Sequence, residues 1–290
     1  MSLVLSRIIA GAWRLDQWQW SPQQRLRWIE DNLALGISSF DHADIYGAYT
    51  VEALFGEALA LAPGLRDQLQ LVSKCGIRLA VPARPGDLIH HYDTSAAHVR
   101  ASVEQSLAAL RTDRLDLLLI HRPDALLEAD ELAACFEALR REGKVLHFGV
   151  SNFSPAQFAL LHSRIPLVTN QIELSPLHRQ PLHDGTLDQC QQLGLRPMIW
   201  SPLAGGRLFT GEDDAARRVQ AELQRLSGEL SVSATTLAFA WVLRHPSRPL
   251  PIIGSRRIEA AREAVAALQL KLDAQQWYRL WRAGAGHDVP

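Results

Sequence analysis

Eight times along this 290-residue chain a short apolar run stops at a polar turn and gives way to an amphipathic stretch. The runs are Arg7–Ala12, Ile37–Asp41, Leu69–Lys74, Leu115–His121, Val145–Ser151, Leu167–Gln171, Arg196–Ser201 and Leu250–Gly254. Helical periodicity fills the gaps, over Pro22–Leu35, Ser95–Leu110, Ala129–Arg141, Pro155–Ser163, Gly185–Leu193, Ala234–Arg244 and Arg257–Leu268. Ser21 precedes Pro22 as an N-cap with proline at the first helical position. Strands alternating with helices imply a parallel sheet. Eight units favour closure into one α/β domain over residues 1–290, a (β/α)8 TIM barrel, and closed barrels reach this length as a single domain.

The balance of charge narrows the function. Thirty Lys and Arg against thirty-one Asp and Glu leave a net charge of −1, so no basic field offers itself to nucleic acid. No apolar run reaches the ~18 residues that a bilayer demands. Arg7 and Arg14 break the apolar N-terminal patches, and no cleavage pattern follows. Three cysteines, Cys75, Cys135 and Cys190, have no metal spacing and read as reduced thiols of a cytoplasmic protein. No membrane or nucleic-acid partner is expected, and the chain is expected to be a monomer or a weak homo-oligomer.

Barrel active sites sit where strands end, on the following loops. Asp41, Lys74, His121, Ser151–Asn152, Gln171, Trp200–Ser201 and Gly254–Ser255 all fall at such ends. Tyr46 lies five residues after Asp41, in the turn leaving the second run. A phenol titrates near pH 10, too high to protonate an alkoxide efficiently at neutral pH, and a buried ammonium beside it lowers that value. Lys74 supplies the ammonium, and Asp41 is the partner that keeps Lys74 charged in a dry cleft. His121 is placed to hydrogen-bond the substrate oxygen or to share the proton. Tyr, Lys, Asp and His arriving together point to carbonyl reduction with a tyrosine acid. Singly, each is better read as packing or as a solvated end; jointly, on one rim, they read as a site.

These residues resemble those of the aldo-keto reductases. The resemblance covers nearly the whole chain and rests on Phe40-Asp-His-Ala-Asp-Ile-Tyr-Gly47, Ser73-Lys-Cys75, Asp116-Leu-Leu-Leu-Ile-His121, Gly143-Lys144 leading into Gly149-Val-Ser-Asn-Phe153, Asn170-Gln-Ile-Glu173 and Trp200-Ser-Pro-Leu-Ala-Gly-Gly206. Pro251-Ile-Ile-Gly-Ser255, Gln275-Gln-Trp277 and Asp288-Val-Pro290 are similar to one bacterial oxidoreductase branch of that family. The resemblance implies a (β/α)8 barrel that reduces aldehydes and ketones with NADPH, with Tyr46 as the acid and Asp41, Lys74 and His121 completing a tetrad.

The chain has no G-x-G-x-x-G after a strand, so a Rossmann site is unsupported. The resemblance implies instead that Ser151, Asn152 and Gln171 bind the nicotinamide carboxamide and that Trp200 stacks on the ring. Ser201, Leu203, Gly205 and Arg207 belong to the implied pyrophosphate loop. Gly254, Ser255, Arg256 and Arg257 open a helix, a suitable place for the 2′-phosphate, and Glu263 matches an adenine contact. Here the chain also departs from the family. Gly254-Ser255 stands for a common Lys-Ser, Ala260 for Arg or Gln, Ala264 for Asn, and Leu146 for a basic residue. The hairpin that many members carry before the first strand is expected to be short or absent.

Trp13, Trp18 and Trp20 follow the first run, and a long loop from Cys75 to Thr94 follows the third. Trp13 is the candidate wall for a small carbonyl substrate, while Trp18 and Trp20, on the same face, serve equally well on the substrate side or as a barrel cap or oligomer contact. His90-His91 lack a third ligand at metal spacing, so no metal is expected. Two other readings compete: an NADPH-binding sensor or accessory subunit with little turnover, and a hydrolytic barrel, which would need paired carboxylates or a metal cluster at the strand ends.

Overall fold

Residues 3–290 are described by the structure, a computed structural model, and their strands pair as the alternation implies. The barrel strands are β1 Ile9–Gly11, β2 Ser39–Asp41, β3 Gln70–Cys75, β4 Leu115–Ile120, β5 Val145–Ser151, β6 Asn170–Glu173, β7 Met198–Trp200 and β8 Leu250–Ile253. They form a closed parallel barrel in chain order. Its helices are α1 Pro22–Ala34, α2 Val51–Leu59, α3 Ala96–Leu110, α4 Ala129–Arg141, α5 Pro155–His162, α6 Thr186–Gln192, α7 Arg207–Thr210, α8 Asp214–Leu230, α9 Ala234–Leu243, α10 Ile258–Ala266 and α11 Ala274–Ala285. The chain divides into two compact units, one ending at Gln171 and the other beginning at Ile172.

In the first unit, local chemistry sets the helix starts. Ser21 accepts from the Gln24 amide while the Gln24 side chain returns to Ser21, a reciprocal box repeated by Ser154 and Gln157 before α5. Arg66 pairs with Asp116 at 2.9 Å, and Asp116 also accepts from the Leu71 amide, which ties β3 to β4. Gly149 is needed in β5 because a Cβ there would stand 2.8 Å from the Thr169 carbonyl. Phe136 stacks on Phe148 at 4.0 Å and seats α4 on β5. Trp18, Trp20, Trp28 and Phe40 form an aromatic ladder from the first loop into the core, so Trp18 and Trp20 act as packing.

In the second unit, Trp241 and Trp277 lie parallel at 4.9 Å, and each indole N–H donates to the other's carbonyl. Arg279 joins α11 to α8 through Glu222 and Glu229.

Some boundaries differ from expectation. The sixth strand starts at Asn170, not Leu167: the Leu167 amide is taken by His162 Nδ1 at 3.1 Å, and the Val168 amide makes the approach to β5 on the Phe148 carbonyl, at 2.8 Å. Helices α2, α8 and α11 were not expected. For α8 the signals were Asp213 as N-cap and the stripe Ala216, Val219, Leu223, Leu226. For α11 the signal was the Asp273–Gln276 box.

Candidate active site

Strand β2 ends at Asp41, and β3 carries Lys74 one residue from its end. Lys74 is 1 % exposed, and its ammonium donates to Asp41 Oδ2 at 2.8 Å, to the His42 carbonyl at 2.7 Å and to Tyr46 Oη at 2.9 Å. Three acceptors for three N–H bonds satisfy the buried cation completely. The Gln171 amide holds the other Asp41 oxygen at 2.8 Å. Asp41 is thereby tied to a residue 130 positions further along the chain.

The electrostatics keep this group in one protonation pattern. Burial pulls the Lys74 ammonium down, Asp41 and then Tyr46 push it up, and it ends above the ordinary lysine value. Burial also raises the Tyr46 phenol, and the opposing pull of Lys74 does not cancel that rise. The ammonium is where the sequence put it, but the net direction is opposite to the expected lowering: Tyr46 stays a phenol. His121 follows β4, and its ring centre lies 6.0 Å from that of Tyr46. Burial first, then Lys74 and Arg122, force the imidazole well below its usual range, so it is neutral. Its Nδ1 is buried without a hydrogen-bond partner.

Ser151 ends β5 opposite Gln171 in β6. The Ser151 hydroxyl donates to the Gln171 carbonyl at 3.0 Å, and the Asn152 amide donates to the same carbonyl at 2.9 Å from a left-handed φ of 56°. Arg122 was not anticipated. Its guanidinium donates to the His121 carbonyl at 2.7 Å and to the Ser151 hydroxyl at 3.3 Å, bringing a second cation toward Tyr46. Its signal was only its place one residue after His121.

A buried acid pair stands behind Lys74 and was also missed. Ser73 donates to Glu52, and Ser102 donates to Asp44. Burial raises Glu52 to about 7 and Asp44 to about 6. A carboxyl that binds its proton more tightly when folded loses stability as pH rises from its unfolded value toward the folded one. The cost of burying Glu52 therefore builds up between about pH 4.5 and 7 and is fully present above that range. Glu52→Gln is expected to stabilise the protein at pH 8 by on the order of 3 kcal/mol and to do little at pH 4. Urea denaturation at both pH values checks this, and equal effects at the two would contradict it.

The second unit holds the remaining candidates. Trp200 ends β7 half-buried. Ser201, Ala204, Gly205 and Gly206 all have positive φ, at 48°, 51°, 66° and 101°, so residues 201–206, with Leu203 among them, form a tight backbone loop before α7. Arg207 is exposed and pairs with Asp213 at 2.8 Å. Gly254 follows β8; the Ser255 hydroxyl accepts from the Arg257 amide, and Arg256 and Arg257 are exposed at the start of α10. Ala260 and Ala264, the departures noted above, are buried under that helix. Glu263 lines an open groove with Ser233, Thr236 and Arg262. Trp13 is 56 % exposed with Arg14 against its ring.

The aldo/keto reductase family model matches residues 7–284. The chain belongs to the aldo/keto reductase family. Oxidoreductase YdhF of Escherichia coli is 56% identical over 98% of this chain and 95% of its own length. The 6-dehydroglucose reductase of Agrobacterium fabrum is 46% identical over 99% of this chain and 97% of its own. Among solved structures, the glycerol dehydrogenase of Gluconobacter oxydans superposes with a TM-score of 0.86 at 24% identity, covering 99% of this chain and 94% of that one. A thermostable aldo-keto reductase solved with the inhibitor epalrestat gives 0.79 at 24% identity, covering 97% and 96%. These two likenesses establish the barrel fold of this aldo/keto reductase.

Proposed function

We propose that this oxidoreductase uses NADPH to reduce an aldehyde or ketone, with Tyr46 as the acid. The observation that carries the reading is the hydrogen-bonded set Asp41–Lys74–Tyr46 beside a neutral His121. Its donor chemistry fits a nicotinamide: the Ser151, Asn152 and Gln171 side chains offer hydroxyl and amide groups, which supply the donors and acceptors a carboxamide needs. Trp200 offers a ring face for stacking, and Ser255, Arg256 and Arg257 offer donors for a 2′-phosphate. When bound, NADPH supplies the hydride that reduces the carbonyl carbon. Every other part falls to the chain. His121 donates a hydrogen bond to the carbonyl oxygen and orients it. Tyr46 gives that oxygen its proton, and the phenolate left behind is stabilised by the ammonium at 2.9 Å. Asp41, held by Gln171, keeps the ammonium charged and in place. Trp13 is the candidate wall of the substrate pocket.

A reduced, cytoplasmic setting is part of the proposal and is supported by Cys75, Cys135 and Cys190, all buried as free thiols. Among the described residues no single helix is long and apolar enough to cross a membrane. Oxidation of NADPH by a panel of aldehydes, ketones and dicarbonyls tests the reaction, and the name of the Agrobacterium relative makes 6-dehydroglucose the first compound to include. NADPH is expected to bind more tightly than NADH, by roughly tenfold to a hundredfold for one or two charge-assisted contacts. Arg256→Ala with Arg257→Ala is expected to remove that preference. Fluorescence titration checks it, and equal affinities in the wild type would mean that these arginines miss the 2′-phosphate.

A further inference from the structure

We propose that Tyr49 is a positioning residue that clamps the 76–94 loop onto the segment carrying Tyr46, so that docking of the loop fixes the proton donor. The inference rests on the reading of Tyr46 as the acid.

Directly after Tyr46 the backbone is left-handed at three consecutive residues: Gly47, Ala48 and Tyr49 have φ of 56°, 51° and 74°. Glycine accepts this region freely, but alanine and tyrosine enter it against their own Cβ. Such a run persists only where its surroundings over-determine it, and it marks functional segments. Its near side is fastened to Tyr46 itself. The Thr50 and Val51 amides donate to the Tyr46 carbonyl at 3.1 and 3.2 Å, and the Thr50 hydroxyl donates to the Gly47 carbonyl at 2.7 Å.

The far side is fastened by the loop. The Leu79 amide donates to the Tyr49 hydroxyl at 2.9 Å, and the Arg84 guanidinium lies over the Tyr49 ring at 3.9 Å. Arg84 also donates to Gln105 of α3 at 2.8 Å, so it bridges Tyr49 to that helix. The rest of the loop is braced from within. Ile77–Arg78 pairs antiparallel with His91–Tyr92, and Arg78 binds Asp87 at 2.7 Å and Asp93 at 3.2 Å. Its tip stays in solvent, with Leu88 88 % and Ile89 70 % exposed. A braced loop thus holds the catalytic turn by its Tyr49 side chain. Losing Tyr49 leaves the Leu79 amide and the Arg84 face without these partners. It also frees a strained turn whose next bonds go to the Tyr46 carbonyl. Tyr49 acts through Tyr46 and donates nothing to the reaction.

The test compares Tyr49→Phe, Tyr49→Leu, Arg84→Leu and the Leu/Leu double variant with the wild type. It reads kcat per folded site with NADPH and an accepted aldehyde, the NADPH dissociation constant, and hydrogen exchange across 76–94 without nucleotide. Tyr49→Leu is expected to lower kcat by about 10-fold to 100-fold, the scale of a misplaced reacting group, with the NADPH constant unchanged. Exchange across the loop should rise. Tyr49→Phe keeps the ring under Arg84 and should recover part of the loss. The double variant should be no worse than Tyr49→Leu, because both changes cut one connection. A Tyr49→Leu protein with a loosened loop and wild-type kcat per folded site overturns the proposal, as does unchanged loop exchange. A side chain of purely structural importance would change the folded fraction and leave kcat per folded site alone. A wild type that oxidises no NADPH would show itself before any variant is compared, and would remove the reductase reading together with the clamp.

Discussion

Lys74→Met is expected to abolish measurable turnover and to destabilise the fold by ~3–5 kcal/mol, because removing one partner of a buried ion pair strands the other. The stranded group is Asp41, 3 % exposed, which would keep only the Gln171 amide on its second oxygen. The His42 carbonyl would lose its ammonium donor in the same step. Against a typical total stability of ~5–15 kcal/mol this is a large fraction. Urea denaturation measures it. Asp41→Asn added to Lys74→Met should return most of the stability, since the neutral amide no longer needs a cation, and should return none of the activity. A fully stable Lys74→Met single variant would contradict the buried-pair account.

Tyr46→Phe is expected to lower kcat by ~10²–10⁴, the usual worth of a positioned acid. The fold should be nearly untouched, because the Lys74 ammonium keeps Asp41 and the His42 carbonyl as acceptors. Reduction requires Tyr46 protonated and Lys74 charged, and both groups lie above their ordinary values of 10.0 and 10.5. Neither titrates between pH 6 and 9, so neither should shape the profile of wild-type kcat there. The fall should come only above pH ~10, once the phenol begins to ionise. A profile of kcat between pH 6 and 11 checks this.

Much of this site was legible because strand ends are legible. Asp41, Lys74 and His121 each close an apolar run, and the barrel rule sends such residues to one rim. Other features depended on packing that no local pattern announces. Nothing local to Glu52 or Asp44 announces that the fold buries both, with Ser73 and Ser102 as their donors. The role of Arg122 appears only when its guanidinium reaches back to the His121 carbonyl and Ser151. Tyr49 was invisible because a left-handed tyrosine contradicts its own propensity, and its side chain finds its partners in a loop some thirty residues further on. The sign of the Tyr46 shift was missed for a related reason: the nearby cation is written in the chain, whereas the burial that outweighs it is a property of the fold. Helices α8 and α11 carried their caps in plain sight, α8 within a densely charged stretch.

The central claim is that Tyr46 delivers the proton in carbonyl reduction, and the most direct measurement is carbonyl-dependent NADPH oxidation by Tyr46→Phe and wild type side by side, both saturated with nucleotide as judged by tryptophan quenching. The account predicts equal quenching, steady turnover by the wild type and at most about a hundredth of that rate from the variant. Turnover by Tyr46→Phe at the wild-type rate would contradict it.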